Sequence, residues 1–130
     1  MYLELHDSVL SGLKQDGGTA VLQLRPAYVH RSAGRPGIDP GEVYTQDFDI
    51  VIEGAQLTED GPAVPFVVWD GAVAFGDREL VNLVPGDLHG TKPVFLRLVP
   101  AAGHRDLQIG GCSIDIHPVG QAQYMDEFHG

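Results

Sequence analysis

Four side chains near the C-terminus have the types that bind divalent metals: His104, Asp106, Asp115 and His117. A two-residue turn at Gly110–Gly111 would place the two aspartates opposite each other and the two histidines opposite each other on one face. Facing carboxylates repel, so they require a cation, a proton or good solvation between them. Imidazoles with carboxylates suit zinc, manganese or iron. These residues form a candidate site for a divalent metal, and the alternative is the solvated face of an ordinary amphipathic hairpin.

The strings that identify common catalytic sites give no support for an enzyme. Ser11 and Lys14 match the S-x-x-K string of serine enzymes, but on a strand a spacing of three puts their side chains on opposite faces. Nucleophile-elbow, phosphate-loop, dinucleotide-binding and H-E-x-x-H strings do not occur in the sequence. The residues therefore favour a non-catalytic role.

The strongest hairpin pattern lies in the middle of the chain. Phe66–Trp69 and Ala72–Phe75 flank Asp70–Gly71, a pair typical of two-residue turns. One face of this hairpin would then carry only apolar side chains: Val67, Trp69, Ala72 and Ala74. Such a face is expected to be buried in the core or in an interface, for example that of a homodimer.

Among the aromatic residues, Trp69 is the candidate for exposure because it lies next to the predicted hairpin tip. An exposed indole could serve as a platform for a carbohydrate, whereas packing in the core is the ordinary role of such a ring. We therefore select Trp69, together with Val67, as the candidate ligand or interface residues.

Alternating apolar and polar residues predict further strands. A turn at Asp16–Gly17 would set Leu13 opposite Ala20 and Val9 opposite Leu24. Two later strands each have a predicted buried face, formed by Phe48, Ile50 and Ile52 in one and by Val94, Leu96 and Leu98 in the other. In the last predicted hairpin, the buried face would hold Leu107, Ile109, Cys112, Ile114 and Ile116.

These strands predict an all-β fold in a single domain that covers residues 1–130. An antiparallel β-sandwich of jelly-roll or immunoglobulin-like form is expected, with a small β-barrel as the alternative. Residues 31–42 are expected to form a long exposed loop, and residues 121–130 remain unassigned as a loosely ordered tail.

Charge and composition exclude several classes of partner. Eighteen acidic and eight basic side chains give a formal charge of −10, which repels nucleic acid and anionic lipid. The longest apolar run, residues 63–69, is too short to span a bilayer, and the N-terminus lacks the basic start of a signal peptide. A cytoplasmic location is therefore expected. Cys112 is the single cysteine, so an intrachain disulfide cannot form.

The segment Leu5-His6-Asp7-Ser8, followed by a hairpin and Tyr28-Val29-His30, resembles the opening of small uncharacterised bacterial β-sandwich proteins. That resemblance implies a fold and no activity. The function expected from the residues is a non-catalytic binding or protein-interaction module, whose partner is a protein or a small ligand. The alternative is a small metal-binding protein or metal-dependent enzyme that uses His and Asp on one sheet face.

Overall fold

In a computed structural model of the protein, the regular elements of the described residues are all β-strands. The description covers residues 1–32, 34–35, 38–57, 61–103 and 105–128. The strands are β1 (Tyr2–Glu4), β2 (Val9–Asp16), β3 (Thr19–Arg31), β4 (Gly41–Glu53), β5 (Gln56–Leu57), β6 (Phe66–Phe75), β7 (Arg78–Val81), β8 (Leu83–Pro85), β9 (His89–Gly90), β10 (Val94–Pro100), β11 (Leu107–Gly111) and β12 (Ser113–Phe128).

All strand pairs are antiparallel and follow one open path. The order along the path is β5-β11-β10-β6-β2-β3-β4-β12-β9, while β1 pairs with β3 and β8, and β7 pairs with β6. Within the described ranges the terminal strands β5 and β9 do not pair with each other, so the path is not closed into a barrel. The all-β, antiparallel prediction is confirmed.

The path divides into two strand groups that share a short link. The first group contains β1 to β4, β8, β9 and β12, and the second group contains β5, β6, β7, β10 and β11. Only two residue pairs connect β2 to β6, Val9 with Val67 and Leu10 with Phe66. The outer face of the second group is the side of its strands that carries the exposed side chains of β6, among them Val67 and Trp69.

One hydrophobic core draws on both groups, and its residues follow the predicted alternation. Phe48, Ile50 and Ile52 of β4 are fully buried, and in β10 Val94, Leu96 and Leu98 are buried while Phe95 is exposed. The two groups meet at close range. A Cβ added to Gly90 of the first group would lie 2.8 Å from the Phe75 ring of the second.

The predicted hairpin at Asp70–Gly71 is wrong, because Phe66–Phe75 is one continuous strand, β6. Its neighbour β10 pairs Val99 with Asp70 and Pro100 with Val68, so Trp69 is the extra residue of a β-bulge. A bulge changes which face the following residues occupy, just as a two-residue turn does. Phe66, Val68, Val73 and Phe75 therefore still point inward. The chain reverses at Gly76–Asp77 instead, where Phe75 pairs with Arg78.

The first predicted hairpin exists with a different register. Asp16 pairs with Thr19, so the turn lies at Gly17–Gly18, one residue later than expected. Leu13 consequently faces Leu22 rather than Ala20, and a bulge at Ser11 brings Leu10, not Val9, opposite Leu24. Gly17 has a φ of 61°, a conformation that glycine adopts without strain.

The predicted C-terminal hairpin is also wrong, since β11 pairs with β10 and β5, whereas β12 pairs with β4 and β9. The chain passes from the second group to the first at Cys112, which is exposed rather than buried. Along β11 and β12 the buried residues have odd numbers up to Ile109 and even numbers from Ile114 onward. The crossing between the groups, and not a turn at Gly110–Gly111, explains this change. The last strand continues to Phe128, so the described part of the expected tail belongs to β12.

Candidate functional site

Among the side chains that the structure describes, Trp69 is the most exposed aromatic one. Its bulge position leaves it 63% exposed, and Val67, two residues earlier on the same strand, is 44% exposed. The intervening Val68 is fully buried, so Val67 and Trp69 both lie on the outer face of the second group. Bulges commonly redirect side chains beside functional sites.

His6 holds the Trp69 ring in place. The two ring centroids lie 5.3 Å apart with an interplanar angle of 79°, an edge-to-face arrangement. His6 Nδ1 is hydrogen-bonded to the carbonyl oxygen of Trp69, and because a carbonyl can only accept, Nδ1 carries the proton. His6 Nε2 lies 3.4 Å from Asp7 Oδ2. The imidazole is therefore fixed between the Trp69 backbone and a carboxylate that is largely in water.

Two residues with left-handed backbone support this arrangement. Asp7 has a φ of 69° and Asn82 a φ of 63°, and among the described residues they are the only non-glycines with positive φ. The Asp7 N–H donates to the Val68 carbonyl at 2.8 Å, and Asn82 Oδ1 accepts from the His6 N–H at 2.8 Å. Such conformations persist where neighbouring contacts impose them, and they cluster at functional sites.

The strand structure of the chain is interrupted between two short strands at the same place. Asn82 separates β7 from β8, and its N–H donates to the carbonyl oxygen of Gly71 at 2.9 Å. Asn82 thus ties the surroundings of His6 to β6, the strand that carries Trp69. The sequence signal for this break was the single Asn between two short apolar runs, since Asn tolerates left-handed φ better than most residues.

His6, Asp7 and Ser8 have the residue types of a hydrolytic triad, but their geometry does not form one. Ser8 is fully buried. Its Oγ donates to the Glu4 carbonyl at 2.6 Å and accepts from the Tyr28 N–H. Both ring nitrogens of His6 face other groups, as described above. Ser8 therefore has a structural role, and the polar groups beside Trp69 are the half-buried His6 and the exposed Asp7 and Asp70.

An apolar groove continues the surface beyond Val67. Its volume is about 560 Å³, and its lining residues are Pro62, Ala63, Pro65, Phe66, Val67, Ala101, Ala102, Gly103 and Arg105. The Ala101 N–H donates to the Val67 carbonyl at 2.8 Å, which fixes one wall of the groove to β6. Trp69 and the groove thus lie next to each other along one strand, and an extended ligand could contact both.

Further exposed apolar side chains lie on the same outer face. Phe95 on β10 is 47% exposed and Val81 on β7 is 61% exposed. Phe95 pairs with Ala74, and Val81 pairs with Ala72, so these side chains surround two alanines of β6. Phe95 lies between the buried residues Val94 and Leu96, as the alternation of a strand predicts. In this strand Phe95 and Arg97 alternate with buried residues, and this spacing indicates that the Phe95 side chain points outward.

The structure does not bring together the three predicted metal ligands that it describes, Asp106, Asp115 and His117. Asp106 belongs with the second group, where its Oδ2 accepts from Arg97 Nε at 2.8 Å. Asp115 and His117 lie on β12 in the first group, with His117 Nδ1 3.5 Å from Asp115 Oδ1. His104 lies outside the described residues. The register on which this site depended is therefore wrong.

Besides Asp115, His117 also lies near Asp49. Its Nε2 lies 4.0 Å from Asp49 Oδ2 on β4, and Asp49 also accepts from Arg25 at 2.6 Å. Within the part of the chain that the structure describes, no three His, Cys, Asp or Glu side chains are grouped so that they could hold a metal ion.

A second aromatic cluster lies at the far end of the first group. The Tyr44 and Tyr124 rings meet edge to face with centroids 5.7 Å apart, and Arg31 stacks over the Tyr44 ring. Tyr44 Oη donates to Glu42 Oε2 at 2.7 Å, and this bond raises the pKa of Tyr44 above its ordinary value. The pKa of Tyr124 is also raised, chiefly because its hydroxyl is partly removed from water.

Comparisons of the chain with protein-family models, with curated proteins and with solved structures find no match in any of the three. Across the described ranges, no helix is long and apolar enough to cross a membrane.

Proposed function

We propose that the protein is a non-catalytic binding module and that Trp69 is the platform on which it holds its ligand. The observation that carries this proposal is a large aromatic side chain that is 63% exposed yet held edge to face by His6. A ring that is already ordered loses little conformational freedom when a ligand stacks on it. The adjoining apolar groove and the left-handed backbone at Asp7 support the same interpretation.

The ligand class that fits this surface best is a carbohydrate chain. Sugar rings present an apolar C–H face that can stack on an indole, and their hydroxyl groups form hydrogen bonds at the rim. The Asp7 side chain is 61% exposed, so its carboxylate can accept from such hydroxyls. An oligosaccharide that extends past Val67 would place its next units over the apolar groove.

We also propose that the two strand groups pack face to face as a β-sandwich. Support comes from Gly71 of β6, where an added Cβ would lie 2.8 Å from Leu5 and 3.0 Å from Leu98, and from the Phe75 ring beside Gly90. These contacts are expected in the core between two layers. Nuclear Overhauser effects between the Phe75 ring and the Gly90 Hα protons test the arrangement, and their absence in an assigned spectrum would contradict it.

Calorimetric titration with neutral hexasaccharides tests the proposed function. Cellohexaose, N-acetylchitohexaose and xylohexaose cover three types of sugar surface, and we expect at least one of them to bind. Trp69→Ala should abolish this binding without unfolding the chain, because the side chain is exposed. Tyr124→Ala is the matched control, since Tyr124 is 54% exposed on the other strand group, and it should bind like the wild type. The proposal fails if none of the sugars binds or if Trp69→Ala binds equally well.

A further inference from the structure

We propose that a second copy of this chain docks on the outer face of the second strand group and forms a two-fold symmetric dimer. The face carries Val67, Trp69, Val81 and Phe95, all between 44% and 63% exposed. Exposed apolar side chains gathered on one face are typical of protein interfaces. This inference is independent of a sugar ligand, because it places the centre of the interface over Ala72 and Ala74 rather than over Trp69.

Electrostatic repulsion limits how two copies of this acidic chain can meet. The chain has a formal charge of −10, so two copies repel each other over most of their surfaces. The outer side of the first group carries carboxylates at Asp47, Asp49 and Asp115. On the second group, Arg97 neutralises Asp106, and the other acidic residues that flank the two alanines are Glu79 on β7 and the exposed Asp70 on β6. Two copies can therefore meet at this face only where its carboxylates lie opposite cations of the other copy.

The same charges are arranged so that the face complements itself. Glu79 on β7 lies opposite Ala74, and Arg97 on β10 lies opposite Ala72, so the two charged residues flank β6 on opposite sides. A two-fold axis that lies in the plane of the interface, crosses β6 between Ala72 and Ala74 and runs perpendicular to the line from Glu79 to Arg97 places Glu79 of each copy over Arg97 of the other. The Arg97 side chain is 51% exposed and donates to Asp106 through Nε, which leaves its terminal Nη groups to face a second carboxylate.

The shape of the face agrees with this arrangement. A shallow groove of about 250 Å³ is lined by Ala72, Ala74, Glu79, Phe95 and Arg97. The alanines leave room between the longer side chains, and Phe95 is exposed at the edge of the groove. In a two-fold dimer, the Phe95 ring of each copy can enter the groove of the other. Buried aromatic rings of this kind contribute strongly to interface stability.

Charge reversal at the paired positions tests the dimer. Sedimentation velocity of the wild type should give twice the 14.0 kDa mass of one chain. Glu79→Arg and Arg97→Glu should each weaken dimerisation by about tenfold or more, because each places like charges opposite each other. An equimolar mixture of the two variants should form a heterodimer, since the arginine introduced in one chain then faces the glutamate introduced in the other. Glu127→Arg reverses a charge on the first group and should leave the dimer unchanged.

Every other outcome overturns the proposal. A monomeric wild type excludes a stable dimer at the concentrations tested. Single variants that dimerise like the wild type place any interface elsewhere. If both single variants are monomeric and circular dichroism shows that they are folded, a mixture that stays monomeric rules out the contact between Glu79 and Arg97.

Discussion

The imidazole of His6 meets the indole of Trp69 edge to face, and the same imidazole is hydrogen-bonded to the Trp69 backbone carbonyl. One side chain thus fixes both the ring and the bulge that exposes it. Since His6 is itself bound through its N–H to Asn82, the platform is supported by two connecting segments, one between β1 and β2 and one between β7 and β8. Rigidity of Trp69 is therefore a property that can be measured without knowing the ligand.

His6→Ala should release the Trp69 ring. We expect lower fluorescence anisotropy of the indole and a loss of stability of about 0.5 to 1.5 kcal/mol, the range for an aromatic pair. Time-resolved anisotropy and urea denaturation measure the two effects. Unchanged indole mobility in this variant would show that His6 does not hold the ring.

Gly71→Ala should destabilise the fold because its new methyl group would contact Leu5 at 2.8 Å and Leu98 at 3.0 Å. Overpacking of this kind costs about 1 to 3 kcal/mol. Gly18→Ala is the matched control, since nothing lies within 4 Å of its added Cβ. Chemical denaturation should therefore separate the two variants, and equal midpoints would refute the packing of β6 against Leu5.

Gly17→Ala should also be destabilising, for a different reason. Nothing lies within 4 Å of the added Cβ, but Gly17 has a φ of 61°, and a side chain in the left-handed region costs about 1 to 2 kcal/mol. Comparison with Gly18→Ala isolates this backbone effect. Equal stability of the two variants would mean that the turn does not require positive φ at Gly17.

The pKa of Tyr44 should fall toward its ordinary value in Glu42→Ala, because the hydrogen bond to Glu42 is the main cause of its elevation. A raised pKa means that this bond stabilises the fold fully below about pH 10 and is lost as pH rises through the raised value. Titration of the tyrosine ring carbons by NMR measures the change. The pKa of Tyr124 should fall less, because burial is the first cause of its elevation and the charge of Glu42 contributes less than those of Glu127 and Asp126.

Where one strand forms a clean alternation, the sequence was sufficient to predict the buried face. Phe48, Ile50 and Ile52 alternate with charged residues, and every one of them is buried. The period of two along a strand imposes that outcome whatever the neighbouring strand is. Val67 and Trp69 also share one face, as their spacing predicts, but the sequence indicated that this face would be buried in the core or in an interface, whereas both side chains are exposed.

The pairing of strands could not be predicted from the same pattern. A bulge at Trp69 and a tight turn at Asp70–Gly71 both shift the parity of the apolar residues by one, so the sequence does not distinguish them. A crossing between strand groups at Cys112 has the same effect. The candidate metal site depended on a turn at Gly110–Gly111, because only that turn would place Asp106 opposite Asp115. The contact between His6 and Trp69 joins residues far apart in the chain, and no local pattern indicates it.

Acrylamide quenching of tryptophan fluorescence tests the binding platform most directly, because Trp69 is the only tryptophan in the chain. In the free protein the emission should be readily quenched, as expected for a side chain that is 63% exposed. Saturation with a hexasaccharide that binds in calorimetry should then protect the indole from the quencher, whereas His6→Ala should weaken this protection. Emission that stays equally quenched at saturation would contradict the account, since the sugar would then bind away from Trp69.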